Sequence, residues 1–192
     1  MRCIKASCYV SSRRRSPQVF ISYNKANSQA AAQACIVSRH VGAKWADPAQ
    51  MCLDLENRKG RCAWLDAEHS AYLSREGIYA GKSAALSRCD VVLLCVSDAY
   101  AASQVCSAEC SHVLDHLGKR AIVCVVGSSE GVGGGKWEDS HLAIAVKGLP
   151  LVDFRGSTDE ASFIEKMDDV NALVHEVRGS LCGKSRVTIR PL

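Results

Sequence analysis

The stretch Asp90-Val-Val-Leu-Leu-Cys-Val-Ser97 is apolar at each of its six interior positions. A strand with one wet face alternates apolar and polar residues, whereas a strand covered on both faces does not need to. This run therefore reads as an inner strand of a parallel sheet. Working outward from it, four more short apolar runs follow the same logic: Val19 to Tyr23, Cys62 to Leu65, Ala121 to Val126 and Leu149 to Phe154. Segments of helical period separate them. Strands alternating with helices predict an α/β domain, with a five-stranded parallel sheet and helices on both of its faces.

The helices carry their own punctuation. Asp47 and Pro48 give an N-cap acid followed by proline at the first helical position, and Gly60 closes that segment. Other helices are expected from about Ser103 to Leu117, stopping at Gly118, and from about Asp159 to Arg178, stopping at Gly179. Ser28 to His40 is Ala-rich and reads as an additional helix between the first strand and the Asp47 helix. Two stretches carry no regular period: Ala67 to Ser83, and Gly127 to Gly148 with its Gly133-Gly134-Gly135 run. Loops of that length in a compact domain tend to be functional or disordered.

Length and charge restrict the function classes. A chain of 192 residues fills one core, and no apolar run approaches the ~20 residues that a membrane-spanning helix needs. The formal charge of +4 is unevenly placed: Met1 to Ala46 holds eight Lys or Arg and no acid, and Val177 to Leu192 holds four and none. Between them, Asp47 to Glu176 has twelve basic and twenty acidic residues, a balance of −8. The organisation expected is a basic tail at 1–17, a domain at 18–178 and a second basic tail at 179–192. An acidic domain does not fit specific nucleic-acid binding, which wants a basic face on the folded part. The first tail, rich in Arg and Ser, is compatible with a mitochondrial transit peptide but shows no amphipathic apolar face, and a disordered tail is the commoner reading of a terminus. The eleven cysteines include Cys62, Cys95 and Cys124 inside apolar runs and form no CxxC pair, so they read as core thiols in a reducing, cytoplasmic setting.

In an open five-stranded parallel sheet the usual order puts the first strand in the middle, and a ligand crevice opens between the ends of strands one and three. Ser22, Tyr23, Asn24 and Lys25 end or follow the first strand; Ser97 and Asp98 follow the third. On the next helix, Cys106, Cys110, Val113, Leu114 and Leu117 form one apolar stripe, with Glu109 on its border on the same side as His116. A half-shielded carboxylate there would grip sugar hydroxyls or a developing cation; the plain alternative is a solvated helix glutamate.

Other motifs fail on spacing or direction. Gly81-Lys82-Ser83 and Gly183-Lys184-Ser185 mimic the end of a phosphate-binding loop, but each has glycine four places before the Gly-Lys pair where that loop requires five. Cys106, Cys110, His112 and His116 share a helix, yet its wheel points the cysteines away from the histidines, so no metal site is expected. No serine or cysteine nucleophile has a flanking signature. A receiver-type site would need acids after the first strand, which instead ends in Ser22 and Tyr23.

Val-Phe-Ile-Ser-Tyr at 19–23 resembles the first sequence box of TIR domains, Trp64-Leu65-Asp66 the end of their second strand, and Asp90 to Ser97 with Tyr100, Ser103, Cys106 and Glu109 their third strand and following helix. The resemblance covers about Gln18 to Arg178 and implies a flavodoxin-like fold. It also implies one of two activities. Some such domains are scaffolds that recruit other TIR domains through the loop after the second strand, here Ala67 to Ser83. Others self-associate and cleave NAD, as substrate rather than cofactor, at the nicotinamide glycosidic bond, and Glu109 stands at the position of their essential glutamate. By the same resemblance Asn24, Lys25, Tyr79, Gly81 and Lys82 would lie near the dinucleotide, the two lysines offsetting phosphate charge.

The chain also departs from the pattern. One NAD-cleaving subgroup has tryptophan four places before the glutamate, where this chain has Val105, and paired arginines after the first strand, where it has Asn24 and Lys25. The second-strand loop lacks the proline usual in animal receptor members, with Gly77 to Gly81 in its place.

Overall fold

The computed structural model describes residues 18–24, 48–65, 75–117, 120–126, 136–155, 157 and 159–182. The whole first tail at 1–17, residues 183–192 of the second, the expected helix at 28–40, Asp47 and Lys25 lie outside the described residues. Five strands, β1 (Val19–Tyr23), β2 (Ala63–Leu65), β3 (Val91–Val96), β4 (Arg120–Val125) and β5 (Leu151–Asp153), form one sheet in the order β2-β1-β3-β4-β5. Every pairing is parallel. The expectation that the first strand takes the middle is corrected: β3 is central and β1 lies between it and β2. Six consecutive apolar residues suit the centre, where both faces of β3 are covered along its whole length; β1, one place from the edge, is covered as completely.

The two faces divide by strand alternation. Val19, Ile21, Tyr23, Val91, Leu93, Cys95, Ile122 and Cys124 point to one side, where they pack with Met51 and Leu55 of α1 (Pro48–Asn57) and with Phe163, Met167, Val170 and Val174 of the last helix. Phe20, Val92, Leu94, Val96, Val123 and Val125 point to the other, against Ala85 and Leu86 of α2 (Arg75–Arg88) and residues that follow β3 and β4. Phe20 also stacks on Trp64 across the β1–β2 pair, with ring centroids 4.8 Å apart.

Helix α1 ends as its glycine foretold. Gly60 takes φ +61°, the left-handed conformation that ends a helix, and Arg61 N–H reaches back to the Leu55 carbonyl at 2.8 Å. After β3 come α3 (Asp98–Ala102) and α4 (Gln104–Ser111). Ser103 closes the first and caps the second, its hydroxyl accepting from Cys106 N–H at 3.3 Å. Residues His112–His116 then form one wider turn, with Leu117 N–H on the His112 carbonyl at 3.0 Å, so the helical stretch does end just before Gly118.

Three expectations are corrected here. Residues 75–83, read as irregular, belong to α2; Gly77 and Gly81 weaken helical propensity, but Ala85, Leu86 and Cys89 bury the same helix against the sheet. Within 127–148, a short 3-10 turn (Trp137–Asp139) and α5 (His141–Ala145) are formed, Ser140 capping α5 and Trp137 and Leu142 buried. The last helix, α6 (Glu160–Cys182), runs through Gly179 instead of stopping before it. One interior glycine costs about 1 kcal/mol, less than a long helix packed through Phe163, Met167, Val170 and Val174 gains. No helix among the described residues is long and apolar enough to cross a membrane.

Candidate functional site

The strand order makes β1 and β3 neighbours whose connections leave in opposite directions, which is the switch point of an open α/β sheet. At the carboxyl ends of these strands, polar groups enter an otherwise apolar layer. Ser22, one residue before the end of β1, turns its hydroxyl to the Tyr100 phenol at 2.8 Å, and both residues are buried. Tyr100 is placed by the first turn of α3, whose N-cap Ser97 accepts from Tyr100 N–H at 3.1 Å. Burial first, and then the negative charge of Glu109, push the phenol well above its ordinary range, although the Ser22 bond works the other way. Tyr100 is thus a fixed neutral hydroxyl.

Asn24 tightens the same corner. Its amide donates to the Ala99 carbonyl at 2.8 Å and lies 3.9 Å from the Cys106 sulfur, which in turn is 4.0 Å from the Tyr23 carbonyl. Burial is the main cause that raises the Cys106 thiol, and burial raises Cys110 to about 11, helped by Asp115 and Glu109. Both sulfurs are protonated at neutral pH and are poor nucleophiles. On the far side of β3, Asp98 accepts from the backbone N–H of Trp137 at 2.8 Å and ties the segment after β4 to this end of the sheet.

Glu109 follows Cys106 by one helical turn. Its carboxylate meets the Lys82 ammonium of α2 at 3.1 Å; the glutamate side chain is 8% exposed and the lysine 25%. Helices α2 and α4 are therefore joined by an ion pair whose acid is shielded and whose base is the wetter partner. The apolar stripe drawn for α4 is found: Cys106, Cys110 and Val113 are buried, and Leu114 and Leu117 pack against the same cluster.

Of the residues singled out from the sequence, Ser22, Asn24, Lys82 and Glu109 converge here. The Tyr23 ring lies on the opposite face among the α1 and α6 contacts, and only its backbone reaches Cys106. Gly81 and Tyr79 are on α2, with Tyr79's side chain outside the described atoms, as is that of His116. Val105 is 71% exposed at the start of α4. Tyr100 was quoted in the sequence pattern but not proposed for the site. A tyrosine just after a strand that ends in a capping serine will be buried by the next turn, and its hydroxyl then needs a partner, which is a usable signal.

Among the described residues no three or more His, Cys, Asp or Glu gather to hold a metal ion. No curated protein matches the chain. A family model described as TIR domain matches residues 19–167, from the first residue of β1 into α6.

Proposed function

Because the chain belongs to the TIR domain family, a family of signalling modules, we propose that it acts by self-association and cleavage of NAD to nicotinamide and ADP-ribose, in the cytoplasm. The observation that carries this reading is the near-buried Glu109 carboxylate at the switch point, beside Lys82 and the neutral Tyr100–Ser22 pair.

The chemistry asks for one carboxylate. Breaking the bond between ribose C1′ and the nicotinamide nitrogen sends the electron pair to the ring, so nicotinamide leaves neutral and needs no general acid, unlike the leaving group of an ordinary glycosidase. The positive charge passes from the ring to the ribosyl group, which becomes cation-like, and a fixed, shielded anion next to the ribose hydroxyls stabilises it there more than in the ground state, where the charge sits on the ring. Water then adds at C1′ and loses a proton, which gives ADP-ribose. Purified protein at high concentration is expected to release nicotinamide from NAD, read by chromatography, and Glu109→Ala is expected to stop it. Equal release by the variant, or none by the unaltered protein, ends the proposal.

One observation favours a second reading. Val105 stands exposed where an NAD-cleaving subgroup carries tryptophan, so an aromatic stacking partner is missing from that place. A non-enzymatic adaptor that docks other TIR domains through residues 67–83 would not need it. In that case substitutions within 67–74 abolish pull-down of a second TIR domain while Glu109→Ala leaves it intact.

A further inference from the structure

Glu109 and Lys82 are unequal partners. The glutamate side chain is 8% exposed and the lysine side chain 25%, so the lysine is the more accessible partner. Lys82 is carried by α2 and Glu109 by α4, two separate helices with β3 and α3 between them in the chain, so the pair can part without unfolding either helix. An ammonium offers three donors on a flexible stem, and a sugar hydroxyl cannot take the place of such a charged partner on a shielded carboxylate without a compensating charge. A neutral or cationic ligand brings no such charge to the lysine. A pyrophosphate does, because its oxygens compete for the same three N–H groups.

We infer that Lys82 is a substrate-operated latch: it holds the Glu109 carboxylate in the empty site, and the pyrophosphate of an incoming nicotinamide nucleotide draws it away and exposes that carboxylate to the ribose. This rests on the reading of Glu109 given above and adds to it how the substrate's own pyrophosphate gives access to the carboxylate. The site selects a nucleoside diphosphate portion not only for affinity but because that portion unmasks the reacting end. The surroundings support the arrangement. Glu109 stands one helical turn after Cys106, whose sulfur lies 3.9 Å from the Asn24 amide and 4.0 Å from the Tyr23 carbonyl at the end of β1, and the thiol is within the field of both the acid and the base. Tyr100, also within the field of Glu109, is neutral and cannot replace Lys82 as counter-charge.

The test uses binding, which needs no turnover. ADP carries the pyrophosphate without the nicotinamide ribose, and adenosine carries neither. By calorimetry, Glu109→Gln is expected to tighten ADP about tenfold, since Lys82 is then released in advance, and to leave adenosine unchanged. In a Lys82→Met background the same Glu109→Gln substitution is expected to change ADP affinity less than about twofold. In the unaltered protein, ADP but not adenosine is expected to shift the carbon-13 resonance of the Glu109 carboxylate, a readout that survives if either variant folds poorly. The inference is overturned if Glu109→Gln leaves ADP affinity unchanged or weaker, if the gain is equal with and without Lys82, or if adenosine shifts the carboxylate as ADP does. A protein that shows the predicted binding but releases no nicotinamide sinks the proposed reaction and leaves the latch. Glu109-dependent release with ADP binding indifferent to Glu109 does the reverse.

Discussion

The two faces of the sheet receive the same kind of strand residue and are built for different ends. On the α1/α6 face the layer against the strands is apolar, with Met51, Leu55, Phe154, Phe163 and Met167 in the interior. Its charged groups gather where α1 hands over to β2: Arg58 pairs with the buried Asp54, Arg58 and Lys59 with Asp168, whose side chain is 55% exposed, and the buried Arg61 bonds Asn171 of α6. On the α2/α4 face the polar groups go inward, with Ser22 and Tyr100 buried against each other and Glu109 nearly so beside Lys82. Edge pairs cost little to make and contribute little, whereas inward ones carry a desolvation cost that only good partners offset. Both faces accept that cost once, and they differ in where: Asp54 joins α1 to α6 through Arg58 beside the start of β2, whereas Glu109 lies on the helix that follows β3 at the switch point.

The comparison can be broken most directly from the apolar side. Met167 is fully buried, and Met167→Ala is expected to lose about 3 kcal/mol of stability in urea unfolding, from lost transfer energy and an incompletely collapsed cavity. Nicotinamide release per folded molecule should not change, and a specific loss of it would mean that the α1/α6 face also shapes the site.

A smaller effect is expected from Tyr100→Phe, which strands the buried Ser22 hydroxyl and should cost about 1–2 kcal/mol. Adding Ser22→Ala should restore part of that cost; strict additivity of the two would show that the 2.8 Å contact contributes nothing.

The smallest effect belongs to Asp168→Asn at the rim. The hydrogen bond from Lys59, ahead of that from Arg58, holds the Asp168 carboxyl below its usual range. A folded value below the unfolded one gives stability that is present above the unfolded pKa of ~3.9 and is lost as pH falls through the folded value. The variant should therefore melt with the unaltered protein at neutral pH, within replicate scatter, and lose slightly less on acidification. A large neutral-pH loss would place real weight on the exposed network.

Much of the fold was legible because its signals are local. The five apolar runs became five parallel strands, Gly60 stopped α1, and Ser103 began α4 where a capping residue should. Two helix ends were not legible: the start of α2 within 67–83, where no helical period shows, and the end of α6, expected at Gly179. Gly77, Gly81 and Gly179 all lie inside helices, because a penalty of about 1 kcal/mol per glycine is outweighed by burial of the rest of the helix. The segment at 136–148 was missed for a related reason: its turn and short helix are held by Asp98 on Trp137 N–H and by burial of Leu142, contacts that cross from one connection to another. Of the site, Ser22, Asn24 and Glu109 could be placed from strand ends and a helix wheel. Tyr23 could not be separated from Ser22, although alternation sends the two to opposite faces.

Residue order alone determined the layered α/β architecture and the helix that carries Glu109, since periodicity and capping act over a few neighbouring residues. Tertiary structure alone decided that β3 is central, that Tyr100 answers Ser22, and that Lys82 of another helix faces Glu109. Those choices depend on which surfaces exclude water together, and nothing within a helical turn or a strand records that.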